Sequence, residues 1–177
     1  MHDERLANLL GALALTVNDL ALTDATAAAG TSVSGSAALV VLSTAPGLSV
    51  TELGRRVGLS QPAAARMVDA LERRGLVERR PTLARAVAVH LTPAGAETAG
   101  RILGRRGGRL GSLTAALDER EREVFAELAG KLLTAAYEQL PEADRLCRLC
   151  DREACVAEGE VCPVGAACRA REAADEG

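Results

Sequence analysis

The sequence predicts a mainly α fold on three observations. Two capped helical patterns meet at a tight turn within residues 49–75, an arginine-rich hairpin of period two follows up to residue 92, and leucine- and alanine-rich helical stretches lie on both flanks. In that order they spell a winged helix-turn-helix with a two-stranded wing, flanked by N- and C-terminal dimerisation helices.

The first helix of the pair opens on S-V-T-E, where Ser49 can accept from the amide three residues on while Glu52 reaches back, a capping box. Leu53 and Val57 share one face, Gly58 supplies the left-handed residue that ends the helix, Leu59 turns inward and Ser60 is placed as the next N-cap. The second helix, Q-P-A-A-A-R-M-V-D-A-L-E-R-R-G, tolerates Pro62 in its first turn and sets Ala64, Met67, Val68 and Leu71 along an apolar stripe before Gly75 stops it. Its other face carries Gln61, Ala65, Arg66, Asp69 and Arg73. That face is polar and slender enough for a major groove, and Gln and Arg offer the paired donors that base edges and phosphates accept.

Strands are expected over residues 76–80 and 86–91, with Val77, Val87, Val89 and Leu91 on one face and P-T-L-A-R between them. Arg85 falls at the tip, suited to a minor groove, whose narrow stretches concentrate negative potential. The candidate DNA-contacting residues are therefore Ser60, Gln61, Ala65, Arg66, Arg73, Arg79, Arg80 and Arg85.

Charge points to the same segment. Residues 55–109 carry 12 arginines against 4 acids, a net +8, whereas the remainder of the chain is net −11. An acidic body with one basic middle suits a nucleic-acid face, and the whole-chain charge of −3 hides it. Phe125 and Tyr137 are the only aromatics, so base stacking on single strands is excluded as a mode and double-stranded DNA is the expected partner. No apolar run is expected to reach a membrane span, and M-H-D-E-R does not read as a secretion leader, so a cytoplasmic location without a membrane partner is expected. His2 and His90 stand apart from any nucleophile motif and no phosphate-binding glycine loop follows a strand, so no catalytic residue and no enzyme activity are expected.

On the flanks, residues 3–29 repeat Leu6, Leu9, Leu10, Leu13, Val17 and Leu20 at helical spacing. G-T-S-V-S-G breaks the pattern, and residues 36–45 then read as a short buried helix ended by Pro46 and Gly47. Thr92 and Pro93 open a segment to about residue 117 whose many glycines favour a bendable connector. Asp118 and Glu121 start a last long helix, with Val124, Phe125, Leu128, Leu132, Leu133, Ala136 and Leu140 as its apolar stripe up to Pro141. The expected organisation is a dimerisation helix over 1–35, the winged domain over 36–92, connector and dimerisation helices over 93–145, and a cysteine-rich tail over 146–177. The flanking helices carry more apolar face than a small domain covers, which predicts a homodimer.

The run L-S-V-T-E-L-G-R-R-V-G-L-S-Q-P-A-A-A-R-M-V-D-A-L-E-R-R-G-L-V-E-R-R, followed by V-H-L-T-P-A-G, resembles the multiple antibiotic resistance regulator (MarR) family of bacterial transcription factors. The resemblance implies a homodimer, by family habit a repressor, on a pseudo-palindromic operator, with a small-molecule inducer or an oxidation event shifting it between DNA-competent and incompetent spacings. It implies that Gln61, Ala65 and Arg66 lie on the recognition helix and that Arg85 is the wing arginine. Leu83 stands where the family's wing usually has an aspartate, which removes the salt bridge that shapes the tip.

All five cysteines lie beyond that resemblance, in C-R-L-C-D-R-E-A-C-V-A-E-G-E-V-C-P-V-G-A-A-C. Cys147, Cys150, Cys155 and Cys162 fall within sixteen residues, close enough for four thiolates to enclose a zinc ion or an iron–sulfur cluster; the spacing leaves both open. Cys168 is either a substitute ligand or a free thiol. A disordered tail with reversible disulfides is a further alternative. Metal loss or oxidation at the tail is expected to act on a helix ending near Leu146 within the dimer seam. Two other functions remain open at this point: a thiol oxidoreductase using Cys147 and Cys150, though without a βαβ frame, and a winged-helix module that binds protein rather than DNA.

Overall fold

The computed structural model describes residues 2–81, 87–140 and 142–175. Helices α1 (His2–Ala29), α2 (Val33–Thr44), α3 (Val50–Val57) and α4 (Gln61–Arg73) lead into strands β1 (Val77–Pro81) and β2 (Val87–Leu91), then α5 (Pro93–Thr114) and α6 (Glu119–Gln139). A tail of short helices follows: α7 (Ala143–Leu146), α8 (Arg152–Cys155), a 3-10 turn over Ala157–Gly159, and α9 (Pro163–Asp175). The winged helix-turn-helix is present in the expected order.

The core sits where α2, α3, α4, α5 and the hairpin meet. Leu39, Leu42, Leu53, Val68, Leu71, Val77, Val89 and Ile102 are essentially inaccessible to solvent, so branched aliphatics do the work that aromatics cannot do here. The strands pair antiparallel with Val77 opposite Leu91 and Pro81 opposite Val87. Of the four residues expected on the inner face, Val77 and Val89 are buried, but Val87 is 46% exposed because it stands beyond the body of the domain. The sheet gains a third partner at one point, where Leu48 bridges to Val89 and its carbonyl accepts from the Val89 amide at 2.8 Å.

Several boundaries differ from expectation for identifiable reasons. The second helix starts at Val33, not 36, because Ser32 caps it by accepting from the Gly35 amide at 3.1 Å, which draws V-S-G into the first turn. A β-carbon at Gly35 would lie 2.6 Å from the Thr31 hydroxyl, which would have to turn away to admit it. The glycine-bearing stretch after Thr92 forms one helix over Pro93–Thr114, opened as expected by Thr92 and Pro93, and α1 lies along it. The helix of residues 119–139 starts with a complete capping box, Asp118 accepting from the Glu121 amide and Glu121 from the Asp118 amide, both at 2.9 Å.

Residues Asp3–Thr23 are long and apolar enough to cross a membrane by length and composition, which corrects the expectation that no run reaches that length. Interspersed alanines and small polar residues made the run read as amphipathic. It packs along α5 and leaves Leu6, Leu9, Leu10, Leu13 and Leu15 exposed. On α6, Val124, Phe125, Leu128, Leu132, Leu133 and Leu140 are exposed too.

Candidate nucleic-acid interface and cysteine cluster

The turn between α3 and α4 is fixed by backbone chemistry. Ser49 caps α3 by accepting from the Glu52 amide at 3.1 Å, and Gly58 ends it with φ 74° and ψ 35°. Only half of the expected capping box forms, because the Glu52 carboxylate turns to Arg55 and Arg56, with Nε contacts of 2.9 and 2.8 Å. The hydrogen bonds from Arg55 and then Arg56 pull the Glu52 carboxyl down to about 2. Ser60 sits at the N-cap of α4 with extended φ and ψ, but its side chain makes no cap bond and stays exposed.

The reading helix α4 buries Ala64, Met67, Val68 and Leu71 as expected. Gln61, Arg66 and Arg73 are exposed and Ala65 is half-buried, so these four lie on the outward face. Among the described residues, Arg66 and Arg73 make no hydrogen bond or ion pair, which leaves two cations ready for an external anion.

The two strand arginines sit differently. Arg79 of β1 turns back to the reading helix, Nη2 to Asp69 at 2.6 Å, and also holds Glu72 through Nη1. The hydrogen bond to Asp69, with that to Glu72, raises its pKa above the usual guanidinium range. Arg79 thus braces the wing against α4. Arg80 is exposed and pairs with Glu78, Nε to Oε1 at 2.8 Å. Arg85, with Leu83, lies outside the described residues. Sequence reasoning missed Asp69 and Glu72 as bracing groups, although their spacing of three on one helix face was visible. It also missed Arg74, whose guanidinium binds the carbonyls of Ala29 and Gly30 at the end of α1.

The tail is built onto this domain. Leu149, between Cys147 and Cys150, is 9% exposed and belongs to the main core. The helix ending at Leu146 is α7, a separate turn after α6 has ended at Gln139, and within the chain it packs on α3. Pro141 is outside the described residues, and the reversal follows from Glu142, which accepts from the amides of Arg145 and Leu146. Asp144 accepts from Arg55 Nη2 at 2.7 Å and pairs with Arg56 at 3.7 Å. Helix α9 returns to α6 and covers Tyr137, which is 6% exposed.

Cys147, Cys150, Cys155 and Cys162 line one cleft of about 340 Å³, together with residues of α2, Arg56, Asp144, Arg152 and Arg169. Their sulfurs interact in sequence. The hydrogen bond from Cys147 pulls Cys150 down to about 6, with help from Cys155 and the charge of Arg106 and against burial. The same contact pushes Cys147 up, and burial raises Cys155 to about 11. Cys162 accepts from the Gly165 amide at 3.4 Å. Cys168 stands apart, donating to Glu172 at 3.5 Å beside Tyr137. All five are free thiols. Among the described residues, no three or more His, Cys, Asp or Glu side chains stand in metal-holding geometry. The Cys147 to Cys150 stretch joins two short helices, with no strand of a βαβ unit around it.

Residues 29–84 match the MarR family. No curated protein sequence matches the chain significantly. The chain is similar in structure to the YusO protein from Bacillus subtilis, with TM-score 0.66 and 23% identity over 76% of this chain and 99% of that one. It is also similar to the Mycobacterium tuberculosis MarR family protein Rv2887, with TM-score 0.59 and 26% identity over 73% of this chain and 95% of that one. Rv2887 has been solved in complex with DNA and with p-aminosalicylic acid. A MarR family transcriptional regulator from Silicibacter pomeroyi matches with TM-score 0.55 and 27% identity over 72% of this chain and 86% of that one. With the reading helix, its bracing arginine and the paired strands already in place, these likenesses show that the chain has the winged helix-turn-helix fold of MarR family proteins and that residues 29–84 match that family, whose members are transcription regulators rather than enzymes.

Proposed function

We propose that the protein is a homodimeric transcription repressor that binds a pseudo-palindromic operator in the cytoplasm and releases it in response to a signal at the cysteine tail, either metal availability or redox state. The observation that carries this reading is the outward face of α4, where Gln61 begins the helix and Arg66 and Arg73 are exposed without a protein partner among the described residues. Uncompensated guanidinium groups on the slender face of a helix suit phosphates and base edges. The DNA complex of Rv2887 supports the same assignment. Its p-aminosalicylic acid complex supports a small-molecule inducer as a second input.

Two chains are needed because the apolar faces of α1 and α6 are uncovered in one chain. Packing them between subunits would set two reading helices on one side of a duplex. The test is duplex selection from a random pool by the full-length protein. The expected product is an inverted repeat bound by two chains per duplex, with affinity falling steeply as salt rises. Selection of no sequence, with salt-independent retention, would refute the assignment.

A further inference from the structure

The tail does not have the means to hold itself together. Among the described residues of 143–175, only Leu149 and Val164 are buried apolar side chains, and Leu149 is buried in the neighbouring domain rather than in the tail. A segment with so little core of its own relies on its packing against α3 and α6, and a covalent or metal staple would fix it further. No disulfide supplies it. Yet four cysteines from separate stretches of the tail line a single cleft, though not in metal-holding geometry among the described residues, while the fifth is left outside.

The surroundings of that cleft are cationic. Arg56, Arg152 and Arg169 line it, and Arg106 acts on Cys150 from α5; Asp144 and Glu160 are the acids on its wall, with Asp151 acting on Cys150 beside it. Four thiolates around a divalent ion carry a net −2, and so does a four-thiolate cluster holding a [2Fe–2S] or [4Fe–4S] core in its oxidised state, so arginines at this wall match the charge that ligation would create. The four already line one cleft, and ligation would require them to close around the ion.

The position of the cleft gives it a readout. Cys147 and Cys150 flank Leu149 in the main core, and Asp144, three residues before Cys147, holds Arg55 and Arg56 of α3. Arg145 lies over the turn of the helix pair, since a β-carbon at Gly58 would be 3.1 Å from its Nε. From this placement, which rests on the repressor reading above, we infer that Cys147, Cys150, Cys155 and Cys162 form a thiolate site for a soft metal, zinc or an iron–sulfur centre. Its occupancy seats the tail on α3 and is transmitted to the reading helix through Asp144. The loaded form is the one that binds operator.

The test uses the full-length protein purified without oxygen. Metal analysis and the visible spectrum distinguish the two sources: one zinc per chain in a colourless sample, or iron with sulfide in a brown one. Stripped protein is then titrated with Co(II), whose thiolate charge-transfer bands report the ligands. C147S with C150S is expected to abolish those bands and C168S to leave them intact. If neither metal is retained and Co(II) gives no thiolate bands, the site is refuted. For the readout, affinity for a duplex selected by the wild-type protein is measured loaded and stripped. Stripping is expected to weaken binding about tenfold, and D144N is expected to keep the metal but lose most of that difference. A stripped protein that binds as the loaded one does, or D144N that keeps the full difference, refutes the coupling while leaving the site. Failure to select any duplex, with metal still bound, refutes the repressor reading alone.

Discussion

Arg79 of β1 donates to Asp69 of α4 at 2.6 Å and, through its backbone amide, to Glu72 at 3.2 Å, so the wing is fastened to the outward side of the reading helix by an arginine that also looks like a phosphate contact in the sequence. Arg79→Ala is expected to lower DNA affinity by loosening the angle between wing and helix, with the salt slope of binding nearly unchanged because no phosphate contact is removed. Titrations at several salt concentrations check this. A slope reduced by about one would mean that Arg79 touches DNA.

Arg66 and Arg73 have the opposite character. Exposed and without a partner among the described residues, they cost the fold little when truncated. Arg66→Ala is expected to weaken operator binding by about 1–3 kcal/mol and relax preference at one base position. Arg73→Ala, nearer the helix C-terminus, is expected to weaken all sequences alike. Melting temperatures near wild type would assign both losses to the interface.

Two glycines fix the approach of elements around that helix. A β-carbon at Gly95 would lie 1.9 Å from the Leu76 carbonyl oxygen, and one at Gly54 would lie 2.5 Å from the Ala64 methyl. Gly95→Ala meets backbone and is expected to cost about 3 kcal/mol or more, whereas Gly54→Ala meets a side chain and is expected to cost about 2 kcal/mol. Denaturant midpoints of Gly54→Ala with Ala64→Gly should recover part of the second loss and none of the first.

The helix pair and hairpin were legible because caps, glycine terminators and periodicity are local signals: Ser49, Gly58 and Thr92 act where the sequence puts them. Spacing alone grouped Cys147, Cys150, Cys155 and Cys162, and the fold sets all four on the wall of one cleft without a metal-holding arrangement among the described residues. What was not legible is long-range. Arg79 and Arg66 are the same residue type on neighbouring elements, and only the fold turns one inward. Glu52 sat at the right offset to complete a capping box, but two arginines one turn on compete for the same carboxylate and win. Nothing local marks Asp144 as a partner of α3, 89 positions away from Arg55.

The exposed faces of α1 and α6 make oligomeric state sensitive to single charges. Leu13 is 43% and Leu132 54% exposed in one chain, so Leu13→Glu or Leu132→Glu should leave the winged domain folded. If these faces are buried between subunits, each substitution places an unpaired carboxylate in an apolar seam and shifts the dimer towards monomer. Light scattering with chromatography reads the mass, and circular dichroism verifies the fold. Dimers of wild-type stability in both variants would move the seam elsewhere.

Acid titration isolates the Glu52 network. Its carboxyl lies at about 2 in the folded chain against 4.5 for the free side chain, so the ionised form is the one the fold favours. That contribution is complete above pH 4.5 and disappears as the pH falls towards 2, since the unfolded chain takes up the proton first. The carboxylate is about one-third exposed, so solvent screening reduces its contribution to about 1 kcal/mol rather than the full value of the shift. Glu52→Gln should therefore lower the urea midpoint at pH 7, and the gap to wild type should close steadily between pH 4.5 and 2. A gap of constant size over that range would mean that the residue acts through packing and not through its charge.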